Sequence, residues 1–200
     1  RMLAAARIGA VVVPFSTFST AAELRRQLID ADVAGLLSTR SFRSHDYVAR
    51  LGEALAPPGT APVLRHLLFD GDTDSGDPSL VTRLEDDVDG SDVLSVIYTS
   101  GSTSTPKGVV HTHASLLGHQ RALNEIRRLT EADRLFCNSP FFWIGGFAFG
   151  LLATIFAGAT LICSNATDAG ETLDLLEAER PTVTNGFVAG ILHLTRHPSF

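Results

Sequence analysis

Lysine is nearly missing from this 200-residue sequence: of its 16 Lys and Arg residues, only Lys107 is a lysine. No basic run replaces it. The net charge is −6, and Arg25-Arg26 and Arg127-Arg128 read as solvated helix faces, so the electropositive stripe that a nucleic-acid partner requires is missing. Cysteine is also scarce. Cys137 and Cys163 match no metal-ligand or redox spacing, and two thiols in a chain this long fit a reducing compartment, by default the cytoplasm. The opening RMLAAARIGAVVVPF passes from a short apolar run straight into strand-like Val11-Val12-Val13 and Pro14, with no small-residue cleavage site. It is read as a chain entered in mid-fold, and the end at LTRHPSF is read the same way. One long uncharged run exists, Ile144 to Cys163, whose twenty residues make it a transmembrane candidate on length alone. Its four glycines, two threonines and the break at Ala157-Gly158-Ala159 divide it instead into a short buried helix and a strand, so no transmembrane segment is expected.

Hydrophobic residues make up 44% of the chain, enough for a sizeable core in one domain or two closely packed subdomains. Thr20-Ala-Ala-Glu23 is a capping box that opens a helix through about Ala31. Val33 to Ser38 reads as a strand, Ser44 to Leu55 as a helix broken by Pro57-Pro58-Gly59, and Pro62 to Phe69 as a second strand. Strand and helix in alternation predict an α/β fold, mostly parallel sheets flanked by helices. Residues 70–92 are acidic and rich in Gly and Ser, and read as a solvated connection that fits no EF-hand spacing. Two portions follow: 1–90, a first α/β subdomain carrying that connection, and 91–200. In the second, Val93 to Tyr98 is a buried strand, and Val109 to His113 is a short one. Ala114 to Leu129 is an amphipathic helix with Leu116, Leu117, Leu123 and Ile126 inward, and Thr130 to Asp133 is a turn or short helix.

Between those two strands, residues 99–105 are all Ser, Thr or Gly, and Lys107 follows Pro106. Such a loop turns backbone amides and hydroxyl donors toward an anion, and a single ammonium on a flexible stem adds a charge that can follow moving phosphate oxygens. That is equipment for polyphosphate; the bland alternative is a surface connection with a stray lysine. It is not a Walker loop. Gly108, and not a Ser or Thr, follows the lysine, and Pro106 removes an amide where that loop needs one.

The stretch Thr99-Ser100-Gly101-Ser102-Thr103-Ser104-Thr105-Pro106-Lys107-Gly108 resembles the phosphate-loop signature of the adenylate-forming synthetases and ligases, Thr-Ser-Gly-Ser/Thr-Thr-Gly-x-Pro-Lys-Gly. This superfamily includes acyl-CoA synthetases, firefly luciferase and the adenylation domains of peptide synthetases, and the acyl-CoA synthetase (fatty-acid–CoA ligase) branch is the most similar. The flanks agree: GAVVVPF before a capped helix, DVLSVIY and VVHTHASLL around the loop, and PFFWIGGFAFGLLATIFAGATLI where the family has its next motif. The one departure is Ser104, where the family usually has glycine. If that position needs positive φ, serine costs about 1 kcal/mol.

The resemblance implies that the chain is a piece of the large N-terminal domain of an adenylate-forming enzyme. Its substrate would be a small-molecule carboxylic acid, fatty or aromatic to judge from FFWIGGF. The carboxylate attacks the α-phosphorus of ATP, pyrophosphate leaves, and the acyl group passes to a thiol, usually coenzyme A. Because a carboxylate is already a nucleophile, the chemistry is positioning and charge neutralisation. By the same likeness, Thr99, Ser100, Gly101, Ser102 and Thr103 cradle the β- and γ-phosphates, with Ser104 and Gly108 in the same loop. Lys107 neutralises the departing pyrophosphate, and Thr103 and Lys107 are the catalytic candidates. No side chain is singled out as a metal ligand; Mg2+ arrives with ATP, and Thr103 is the nearest candidate contact. Phe142, Trp143, Gly145 and Gly146 are expected to line the acyl pocket. His111, His113 and His119 have no carboxylate partner in the pattern and read as structural. The family's adenine-contacting loop, its ribose aspartate and the lysine of its C-terminal domain are not among these residues, so the chain alone is expected to be inactive. Two other classes stay open: a noncatalytic nucleotide- or acyl-binding relative, and a membrane protein using Ile144–Cys163. A lipid substrate would allow peripheral membrane association of an otherwise cytoplasmic protein.

Overall fold

The computed structural model describes residues 1–56, 59–72, 76–99, 106–186 and 188–200. The expected helix break at Pro57-Pro58 and part of the acidic connection, residues 73–75, lie outside the described residues. The chain forms two compact units, Arg1–Val88 with Leu94–Val110, and Asp89–Val93 with His111–Phe200.

The first unit begins with α1 (Met2–Arg7) and α2 (Ala21–Asp30). The predicted capping box starts α2: the Thr20 amide donates to Glu23 Oε2 at 2.7 Å and the Glu23 amide to Thr20 Oγ1 at 3.3 Å. Strand β1 (Gly35–Ser38) pairs in parallel with β4 (His66–Phe69), Leu36 opposite Leu67, and α3 (Tyr47–Leu55) lies on the crossover between them. Ala21, Leu24 and Leu28 recur at helical spacing on α2 and meet Leu36 of β1 and Leu51 and Ala54 of α3 in one core.

Several expectations are corrected here. The helix expected from Ser44 starts at Tyr47, because His45–Asp46 (β3) pairs antiparallel with Ser41–Phe42 (β2) and Asp46 caps α3 through the Ala49 amide at 2.9 Å. The acidic connection carries a helix, α4 (Pro78–Asp86), capped by Asp77 with proline at its start. The strand-like Val11-Val12-Val13 makes a single parallel bridge, Val12 to Ser95. Arg25 is not a solvated charge: its guanidinium donates to the carbonyls of Ala54 and Glu53, both at 2.8 Å, in the last turn of α3, where carbonyls run short of helical partners. Most of β5 (Val93–Thr99) and of β6 (Lys107–Thr112) also belongs to this unit, and the two strands pair with each other.

The second unit is built on a three-stranded parallel sheet with β7 (Arg134–Cys137) between β8 (Thr160–Ile162) and β9 (Val183–Asn185). Its helices are α5 (His113–Arg127), α6 (Ile144–Gly146), α7 (Ala153–Ala157), α8 (Ala169–Glu179) and α9 (Val188–Thr195), and a π-helical segment, Phe147–Leu152, joins α6 to α7. The α/β expectation therefore holds, with parallel sheets and helices around them. The long uncharged run does not form one helix. Gly158, at φ +69°, ends α7 in the left-handed conformation and the chain turns into β8. Among the described residues no helix is long and apolar enough to cross a membrane.

The inner face of α5 also differs from the apolar pattern. Leu116, Gln120 and Asn124 are buried, whereas Ile126 is 80% exposed and Leu117 41% exposed. The physical reason lies opposite the helix. A π segment draws its carbonyls off the usual i−4 ladder, and polar side chains of α5 reach that neighbourhood: Asn124 Nδ2 donates to the Ala153 carbonyl at 2.9 Å, and Arg127 to the Phe149 carbonyl at 3.0 Å. Beneath the segment the backbones come close. A Cβ on Gly146 would lie 2.2 Å from the Pro140 carbonyl oxygen and 2.4 Å from that of Ser139, and one on Gly150 2.5 Å from Cys137 Sγ.

Gly146→Ala is therefore expected to lower stability by about 1–3 kcal/mol, because backbone has to move. Gly118→Ala, on α5 with nothing within 4 Å, is expected to raise it by about 0.5–1 kcal/mol; thermal unfolding of the two variants checks both signs. A pH effect follows from Asp133, which accepts from Thr182 Oγ1 at 2.7 Å and the Thr130 amide at 2.8 Å. These bonds, Thr182 first, hold its carboxyl below the ordinary 3.8. A depressed folded value means stability that is present above 3.8 and lost as pH falls from there through the lower folded value. The Asp133→Asn variant should show a flatter acid limb in a melting-temperature profile.

Candidate functional site

Strand β5 is the best-anchored strand of the first unit. Leu94, Ser95 and Ile97 are buried, and Val12 exchanges backbone bonds with it on both sides, its amide to the Leu94 carbonyl and its carbonyl from the Val96 amide, each at 3.0 Å. Beyond the buried section, Tyr98 donates its hydroxyl to Asp30 Oδ2 at 2.6 Å. Partial burial first, and then this carboxylate, push the phenol pKa well above its ordinary value, so the tyrosine stays a donor at any working pH. Thr99 ends the strand, exposed.

The residues that follow, Ser100, Gly101, Ser102, Thr103, Ser104 and Thr105, lie outside the described residues. The chain is described again from Pro106, and Lys107 is the first residue of β6, on a strand and not within the loop. Lys107 is exposed, and among the described residues it has no ion-pair partner. Gly108 beside it is needed for a close approach: a Cβ there would lie 2.8 Å from Val96 Cγ1 and 3.4 Å from Tyr98 Cζ. Thr99 and Lys107 thus offer a hydroxyl and an ammonium with no ion-pair partner among the described residues, a donor set suited to a polyphosphate anion. Among the described residues no group of three or more His, Cys, Asp or Glu could hold a metal ion directly.

The expected acyl-pocket residues all belong to the second unit. Trp143, 40% exposed, precedes α6 in an extended conformation, and its ring meets that of Phe142 edge-on at 5.0 Å. The Gly145 carbonyl accepts from Asn185 Nδ2 of β9 at 3.1 Å, which fixes this turn to the sheet. Gly146 is buried against the Ser139 and Pro140 carbonyls, and that contact accounts for its being glycine. The structure gathers Phe142, Trp143, Gly145 and Gly146 at the start of α6, and Thr99, Lys107 and Gly108 at facing ends of β5 and β6.

His113 opens α5 behind the Thr112 cap, His119 stacks on Phe149 at 5.4 Å, and burial lowers the pKa of His111. Cys137 is buried, and burial raises its thiol pKa. Two participants at these places were not anticipated. Asp30 carried one signal, a carboxylate in the last turn of a helix where the dipole disfavours it. Asn185 carried none, since its role depends on a partner 40 residues away.

Residues 1–200 match the AMP-binding enzyme family. Acyl-CoA ligase sidI of Aspergillus fumigatus is 28% identical over 98% of this chain and 37% of its own length. A methyl-dioxo-octahydro-indenyl-propanoyl:CoA ligase of Mycobacterium tuberculosis is 32% identical over 98% of this chain and 40% of its own. The inhibitor-bound crystal structure of the N-terminal domain of FACL13 from Mycobacterium tuberculosis superposes with a TM-score of 0.79 at 26% identity, covering 98% of this chain and 48% of that one. The chain thus spans 37–40% of the length of these curated relatives. A shared N-terminal-domain fold and a family match from end to end agree: the chain belongs to the AMP-binding enzyme family.

Proposed function

We propose that the parent protein is an AMP-forming acid–thiol ligase that activates a fatty or aromatic carboxylic acid with ATP and transfers it to coenzyme A. One observation carries this reading most: the single lysine of the chain stands exposed at the head of β6, without an ion-pair partner among the described residues, directly after a Ser/Thr/Gly loop. An ammonium left uncompensated at the mouth of an anion-binding loop is suited to the charge that develops on departing pyrophosphate. Thr99 and the loop residues Ser100, Gly101, Ser102, Thr103 and Ser104 would supply hydroxyl and amide donors to the β- and γ-phosphates. Gly108 allows the strand to approach Tyr98 closely enough to set Lys107 in place. When bound, Mg2+ would neutralise phosphate charge, and the Thr103 hydroxyl is the side chain suited to contact it. Phe142 and Trp143 offer apolar faces to an acyl chain or ring, and Gly145 and Gly146 hold the turn that presents them. The names of the relatives support a coenzyme A acceptor.

The test is acid-dependent pyrophosphate release by the full-length protein over a panel of carboxylic acids. Lys107→Ala is expected to lower the rate about 100- to 1,000-fold, as loss of a preorganised charge at a transition state does; an unchanged rate would remove Lys107 from the mechanism. MgATP binding without turnover of any acid would mark a noncatalytic relative. The isolated 200 residues are expected to form no acyl-adenylate, and measurable formation would overturn the view that they depend on the rest of the enzyme.

A further inference from the structure

Asp30 is the last residue of α2, in a final turn with no basic side chain. A carboxylate there faces the negative end of the helix dipole and gains nothing from its own helix. Its partner is Tyr98, 68 positions along the chain, whose hydroxyl donates to Asp30 Oδ2 at 2.6 Å. That separation is short for a phenol and fits a charge-assisted bond. On its other side the Tyr98 ring lies against Gly108, where Cζ and Cε1 come within 3.4 and 3.6 Å of the place a Cβ would occupy. Tyr98 is therefore held at its hydroxyl by α2 and crosses Gly108 with its ring, with Thr99 next to it on β5 and Lys107 next to Gly108 on β6. All of these residues belong to the first unit.

We propose that Asp30 and Tyr98 are a positioning pair for phosphate binding: the Asp30 carboxylate fixes the Tyr98 ring, and the ring fixes the backbone from which Lys107 extends. The proposal rests on the phosphate-loop reading above and names two residues that do not touch the nucleotide themselves. Without the anchor the ring can rotate away from Gly108, and the start of β6 loses the surface that sets its distance from β5. The acid-binding residues are untouched by this change, so its effect falls on ATP and pyrophosphate alone.

The experiment uses the full-length protein, with Tyr98→Phe, which keeps the ring and removes the donor, and with Asp30→Ala and Asp30→Asn. Tyr98→Phe and Asp30→Ala are expected to raise KM for MgATP about three- to tenfold, the size of effect that loss of one hydrogen bond to a charged group allows, with KM for the acid unchanged. Asp30→Asn retains an acceptor and should recover most of that loss. A KM for MgATP within about twofold of wild type in both Tyr98→Phe and Asp30→Ala, or an equal rise in KM for the acid, overturns the proposal and leaves the enzymatic reading standing. If the wild type activates no acid but binds MgATP by calorimetry, the enzymatic reading fails while the pair is judged on the Kd of the same variants. Absence of MgATP binding by the wild type overturns both.

Discussion

The approach of Gly108 to Val96 and Tyr98 is the contact on which the end of the first unit proposed to bind phosphate depends. With 2.8 Å between a hypothetical Cβ and Val96 Cγ1, any other residue would force the Val96 side chain or the strands themselves to shift. Strand β5 cannot yield, because Leu94, Ser95 and Ile97 are buried and Val12 is bonded to it on both sides. The position of Lys107 is thus inherited from a buried strand through one glycine. The glycine serves proximity here, and not a left-handed conformation, since its φ lies outside the positive range. A rigid base and a flexible four-carbon stem are complementary for the role proposed for Lys107, meeting phosphate oxygens as they move.

The second unit meets a different demand, the pairing of backbone carbonyls around a π-helical segment. Buried backbone acceptors need partners, and α5 supplies Asn124 and Arg127 where an amphipathic helix would ordinarily present leucine or isoleucine. An apolar cluster of this unit joins the sheet to α7, where Leu135, Cys137 and Ala153 pack with Leu129 and its neighbours. Gly146 and Gly150 let the segment settle on the Ser139-Pro140 backbone and on Cys137. The turn that carries Phe142 and Trp143 is therefore braced from below by backbone contacts and from the side by Asn185.

Much of this architecture was legible because it is written in local spacing. The Thr20–Glu23 box, the alternation of strand and helix and the break at Gly158 all act within a few residues. Asp77-Pro78 is likewise a local helix start, set in a connection whose acidity by itself reads as solvent-exposed. Strand lengths were overestimated at Val11–Val13, where β-branched residues have only a single bridge to join. The inward face of α5 was misread because apolar periodicity cannot register a partner that wants hydrogen bonds.

The sequence by itself determined the family, through a phosphate-loop pattern that departs at Ser104 alone, and the α/β class, through periodicity and caps. Only the tertiary structure decided that Lys107 begins a strand, that Arg25 closes the end of α3, that Gln120 and Asn124 are buried, and that Asp30 answers to Tyr98. The division has one physical reason. Helix caps and amphipathic periods are properties of neighbours three or four positions apart. The cost of an unpaired polar group is settled only by whatever the fold places beside it, here 29 residues away for Arg25 and 68 for Asp30.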